Sequence, residues 1–179
     1  MAHVNSTDEG RSLALRLLIH YYGDIHQPLH TSDRYTKDLP KGDKGGNDFI
    51  LKNHYSSPEL HAVWDNVIYT YHKNPKRPFT KDSWADFGHT ADDLQSRFTF
   101  SKAETNTADF AKFRDESYAI AITAYDGLTE GKDQVVPDSY IAKFQPIAQR
   151  RVALAAQRLV YGMEQIFGKS STIEEKFIQ

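Results

Sequence analysis

Apolar residues recur at every third or fourth position through most of this chain, a period that admits packed helices and little else. Leu13, Leu17, His20 and Asp24 share one face of a first helix, with Ala14, Leu18, Tyr21 and Ile25 beside them. Ser6-Thr7-Asp8-Glu9 has the form of a capping box at its start, and Gly23 and Pro28 end it. A second helix restarts at Ser56-Ser57-Pro58-Glu59, carries Leu60, Trp64, Val67, Ile68 and Tyr71, and stops at Asn74-Pro75. Trp84, Phe87, Ala91, Leu94 and Phe98 mark a third, and Trp84, Phe87 and Phe98, with Trp64 of the second, read as core. Phe110, Phe113, Ile120, Ala121 and Ala124 mark a fourth, closing near Gly127. The last runs from Pro137 to Phe167 before Gly168, with Pro146 predicted either to kink it or to start its second half. Residues 31–55 lack the period and read as a long loop or a small hairpin. The predicted fold is all-α, a bundle of about five or six helices around one core, in a single domain over residues 1–179.

A chain of 179 residues can bury such a core. Its net charge of −2 supplies no electrostatic basis for tight, non-specific binding to nucleic acid, although bound divalent cations would reverse the sign locally. Cysteine is absent, so any zinc site must be built from histidine, carboxylates or backbone groups. No apolar run is long enough to cross a bilayer, and no signal-like stretch follows Met1. The sequon Asn5-Ser6-Thr7 carries meaning only in a secreted chain.

The chemistry concentrates in His20-Tyr-Tyr-Gly-Asp24-Ile-His26-Gln-Pro-Leu-His30. His20 and Asp24 are four residues apart on a helix, as are His61 and Asp65, so each pair projects from one face. His30 lies past the first helix, where a Pro-bounded turn can swing it toward the second pair. Imidazole nitrogen with carboxylate oxygen suits zinc. Spacing alone leaves a metal site and two ordinary helical ion pairs both open. Two pairs beside apolar faces make the metal reading as strong as the other, because a buried carboxylate is costly unless paired or bound. His26 reads as a residue behind the ligands or facing solvent, and His54, His72 and His89 as surface. Lys73-Asn-Pro-Lys-Arg77 reads as a solvated basic loop.

His20-x2-Gly23-Asp24-x2-Gln27-Pro28-Leu29-His30, then Gly45-Gly46-Asn47, then Leu60-His61-x2-Trp64-Asp65 resembles the zinc-dependent class I nucleases. These are single-strand-specific nucleases and 3′-nucleotidases of the mung bean nuclease type, grouped with zinc phospholipase C. The tail from Gln145 to Ala155 is similar to the family's last helix, and the likeness covers about residues 11–168. The resemblance implies a cluster of three zinc ions. His30, His61 and Asp65 would be the protein ligands of one; His20 and Asp24 would be half the set of a second, with Asp24 bridging toward a third as the catalytic carboxylate. Asn47, with Gly46 beside it, would hold the scissile phosphate. Single-stranded DNA or RNA and 3′-nucleotides would be the substrates, and secretion or an endomembrane lumen the expected location.

The family's remaining ligands come from a preceding region: an N-terminal Trp, a nearby His, and an Asp and a His between, with a catalytic Asp. His3 does not replace them. The chain is therefore expected to be the C-terminal half or two-thirds of such an enzyme. Apolar surface left exposed by the missing region would favour association. Two other readings remain, a phospholipase C-like lipase and a catalytically inactive helical domain stabilised by zinc. Gly45-Gly46-Asn47 beside Leu60-His61-x2-Trp64-Asp65 favours the nuclease branch.

Overall fold

The computed structural model describes residues 7–52, 58–71 and 77–168. Six α-helices lie among them: α1 (Asp8–Asp24), α2 (Leu60–Asp65), α3 (Lys81–Ser96), α4 (Lys102–Thr105), α5 (Phe110–Ala121) and α6 (Asp138–Phe167). A 3₁₀ turn, Pro28–Thr31, follows α1. The all-α expectation holds. Residues 31–52 form a loop with two isolated bridges, Ile50 with Glu59 and Lys52 with Val135, and no hairpin among the described residues. None of the described helices is long and apolar enough to cross a membrane.

The core gathers where α2, the loop and α6 meet. Leu60, Val63 and Trp64 of α2 pack with Phe49, Leu51, Tyr140, Phe144 and Ala148, and all are buried. Trp64 donates its indole N–H to the Tyr140 hydroxyl at 2.9 Å, and that hydroxyl donates to the Ala124 carbonyl at 2.6 Å. The Trp64 indole and the Tyr140 hydroxyl, both buried, thus have partners. Because α2 is anchored through this face, His61 and Asp65 are turned to the other.

Several expectations are corrected. The α1 cap falls at Thr7, whose hydroxyl accepts from the Gly10 N–H at 3.1 Å, and Ser6 of the expected box lies outside the described residues. The second helix ends at Asp65 rather than beyond Tyr71. Val67, Ile68 and Tyr69 instead take left-handed φ values of 51°, 48° and 67°. That conformation costs an L-residue roughly 1–2 kcal/mol. Burial of Val67 and Ile68 offsets it, and α6 holds the turn through Gln145 to the Ile68 carbonyl and Gln149 to the Thr70 hydroxyl. The expected boundaries Ser56, Ser57, Asn74 and Pro75 lie outside the described residues, as do His3, His54, His72 and the sequon's Asn5 and Ser6. In α3 only Leu94 is buried; Trp84 and Phe87 are 62% and 40% exposed and pack edge-on against Phe79, so they are not core. One helix, α6, runs through Pro146, and no second helix begins there. The short α4, capped by Ser101 and Glu104, was unforeseen despite its Ser-x-x-Glu signal.

The apolar stripe of α1 is mostly uncovered. Leu13, Leu17, Ile19 and Tyr21 are exposed, while Tyr22 is buried against Phe110, Phe113 and α6. Val152 and Val160 are exposed on α6.

Candidate metal centre

Two short segments bring the ligand-type side chains together. Gln27 accepts the Leu29 N–H on its own side-chain oxygen at 2.5 Å, and Pro28 opens the 3₁₀ turn, so the chain doubles back and delivers His30 toward α2. There, ligand atoms of His30, His61 and Asp65 all lie within 4.8 Å of one another. His30 Nε2 stands 3.1 Å from His61 Nε2 and 3.3 Å from Asp65 Oδ1, and His61 Nε2 is 3.7 Å from Asp65 Oδ2. The two imidazoles are stacked, with centroids 4.8 Å apart.

His61 Nδ1–H donates to the Gly45 carbonyl at 2.8 Å, which leaves the Nε2 lone pair facing His30 and Asp65. The loop holds that carbonyl in place. Asp43, fully buried, accepts from the Gly46 and Arg34 amides at 3.1 and 3.0 Å and from the Tyr125 hydroxyl at 2.6 Å. Burial alone would raise the Asp43 carboxyl; these donors outweigh it and hold it below the usual range. Gly45 and Gly46 have φ values of 63° and 82°, and a Cβ on Gly45 would fall 2.3 Å from the Leu29 carbonyl oxygen. The glycines let the loop press against the turn that bears His30.

A tetrahedral zinc site with bonds of about 2.0–2.2 Å has ligand–ligand edges of roughly 3.3–3.6 Å. His30 Nε2 lies 3.1 Å from His61 Nε2 and 3.3 Å from Asp65 Oδ1, close to that range, while the 3.7 Å contact of His61 reaches the other carboxylate oxygen, Oδ2. The donor set therefore fits zinc. The hydrogen bond to Asp65 raises the His30 pKa above its ordinary value against the opposing effect of burial. For Asp65, burial pushes up, and the bonds from His30 and Gln27 outweigh it and hold the carboxyl low.

His20 and Asp24 form a second group, with His20 Nε2 3.0 Å from Asp24 Oδ2, and His30 Nδ1 lies 3.6 Å from that same oxygen. His30 thus stands between the two groups. The expectation of buried carboxylates is not met, since the Asp24 and Asp65 side chains are 37% and 49% exposed. They open onto a groove of about 610 Å³ between α1 and α6, which Ile19, Val152 and Leu159 also line.

A family model described as S1/P1 nuclease matches residues 1–168. The chain belongs to the S1/P1 nuclease family. It is 30% identical to Endonuclease 5 of Arabidopsis thaliana over 93% of this chain and 53% of that protein. To Endonuclease 2 of the same plant it is 31% identical, over 87% of this chain and 52% of the other. To Nuclease S1 of Aspergillus oryzae it is 25% identical, over 88% and 55%. The chain spans about half the length of the curated relatives it matches. No solved structure matches it significantly.

Against that family's pattern, His30, His61 and Asp65 come together, and His20 and Asp24 meet beside them. Gly46 is buried and turns its carbonyl to the His61 and Phe49 amides. Asn47 is exposed, with its side-chain amide donating to the Lys44 carbonyl at 2.7 Å. Sequence reasoning missed Gln27, which donates to Asp65 Oδ1 at 3.0 Å; its place three residues before His30 was the available signal. His26 proves buried, with its pKa pushed down to about 3, chiefly by burial. His89 is exposed, as expected.

Proposed function

We propose that this chain carries one complete zinc site, and part of a larger zinc cluster, of a hydrolase that cleaves phosphodiester bonds in single-stranded nucleic acid and releases phosphate from 3′-nucleotides. The observation that carries this is the convergence of His30, His61 and Asp65, with the His20–Asp24 pair linked to them through His30. Zinc there would supply a Lewis acid and lower the pKa of a bound water.

The chain's own residues have separable tasks in this reading. His61 presents a lone pair because Gly45 holds its other nitrogen. Gln27 fixes the Asp65 carboxylate. Asp24 would be the catalytic carboxylate and would help hold the metal, with His20 as its partner. Asn47 would hold the scissile phosphate, its amide exchanging the Lys44 carbonyl for a phosphate oxygen, with Gly46 fixing the backbone beside it. The names of the relatives favour the nuclease branch over a lipase.

A second reading, an inactive domain stabilised by zinc, is favoured by one observation. Among the described residues only His30, His61 and Asp65 make a donor group of three. A catalytic zinc usually has three protein ligands and a water. The test is zinc-dependent turnover of single-stranded DNA by the chain alone, and by the chain with the remaining half of the relatives' length supplied. Turnover only in the second case supports a shared cluster; turnover in neither selects the inactive domain.

A further inference from the structure

Between Asp24 and His30 the backbone leaves α1 and turns, and its two exposed-in-principle carbonyls there are claimed by buried side chains of other helices. Ser117 of α5 donates its hydroxyl to the Ile25 carbonyl at 2.5 Å. Arg151 of α6 donates Nε–H to the His26 carbonyl at 3.1 Å. Arg158 of α6 donates Nη1–H to His26 Nε2 at 2.9 Å, and His26 Nδ1–H donates to the Tyr22 carbonyl at 2.7 Å. An arginine can only donate, so this fixes the imidazole as the Nδ1–H form.

Glu116 orders both guanidiniums. It accepts from Arg158 at 2.6 and 2.9 Å and from Arg151 at 2.9 Å, while Arg151 also donates to the Ser117 hydroxyl at 2.6 Å. His26, Ser117, Arg151 and Arg158 are each at most 7% exposed. Two buried cations around one carboxylate are a costly way to fill space, and apolar side chains would serve packing as well or better. What the cluster adds is direction. Each donor points at the short span that separates one ligand-type residue from the next.

We infer that Glu116, Ser117, Arg151 and Arg158 are positioning residues for the metal centre, clamping the 25–26 backbone so that Asp24 and His30 face a common point. The inference rests on the reading that His30, His61 and Asp65 bind zinc. It adds four residues, all distant in sequence from the ligands, that touch no ligand side chain and act through the backbone and His26.

The experiment measures zinc affinity by chelator competition and the visible absorption of bound cobalt(II) in the full chain. Variants are Glu116→Gln, Ser117→Ala and, as a destabilising control away from the clamp, Leu94→Ala on α3. Outer partners of metal ligands typically change affinity by about 10–100-fold. Glu116→Gln and Ser117→Ala should weaken zinc binding by that factor and alter the cobalt spectrum. Leu94→Ala should lower the melting temperature and leave both unchanged. Ser117→Ala keeps the test decisive where Glu116→Gln does not fold. Wild-type affinity and spectrum in folded Ser117→Ala overturn the inference, as does an equal loss in Leu94→Ala. A wild type that binds neither metal overturns both this inference and the proposed function.

Discussion

Replacing Gly45 by alanine probes the link between the loop and the metal centre. Gly45 has φ 63°, which costs alanine about 1–2 kcal/mol. Its new methyl would fall 2.3 Å from the Leu29 carbonyl oxygen, closer than the 3.0 Å below which real Cβ contacts essentially never occur. Loop or turn must then move by several tenths of an ångström, at a further cost of about 1–3 kcal/mol. The expected total is about 2–5 kcal/mol. Gly127 supplies the control, since it shares the backbone conformation, φ 77°, and has nothing within 4 Å of an added Cβ. Gly127→Ala should therefore lose only about 1–2 kcal/mol. Urea unfolding of both variants, paired with zinc titration, separates strain from site geometry. Gly45→Ala should be the less stable and should bind zinc about 10–100-fold more weakly, because the carbonyl that orients His61 has shifted. Equal stability losses together with unchanged zinc affinity would refute the reasoning.

Three other outcomes are expected. Gly23→Ala, inside α1 with open space around its Cβ, should stabilise the chain by about 0.5–1 kcal/mol in thermal unfolding; a loss of stability would contradict the helical assignment there. Burial alone would raise the Glu116 carboxyl, but hydrogen bonds from Arg158 and Arg151 hold it at about 2 against 4.5 unfolded. That stabilisation is present above about pH 4.5 and lost as pH falls through about 2, and with the side chain 31% exposed it amounts to about 1–2 kcal/mol; the gap between wild type and Glu116→Gln in urea unfolding should close over that window. In protein supplied with the remaining half of the relatives' length, Asp24→Asn should abolish cleavage of single-stranded DNA, and full activity in that variant would remove the proposed role of Asp24.

The sequence was most legible where the signal is local. Helix α6 announces itself through a long apolar period opened by Pro137 and closed by Gly168. The pairs His20–Asp24 and His61–Asp65 were readable because helical geometry alone joins residues four apart. The meeting of His30 with His61 rested on a turn whose direction no local rule decides. Val67, Ile68 and Tyr69 look like the end of an apolar helical face, and only the grip of Gln145 and Gln149, some eighty residues later, makes a left-handed turn of them. The exposure of Trp84 and Phe87 was hidden for a related reason, since periodicity marks an apolar face without saying what covers it. The clamp on His26 unites α1, α5 and α6 through side chains that look like ordinary helix-surface charges in sequence.

Zinc content tests the central claim most directly. The purified chain, loaded with zinc and dialysed, should retain about one ion by elemental analysis, the number one three-ligand site with a water can hold. His61→Ala, which removes one of those ligands, should retain none. Equal zinc in the two proteins, or none in either, would contradict the assignment of His30, His61 and Asp65 as a metal centre.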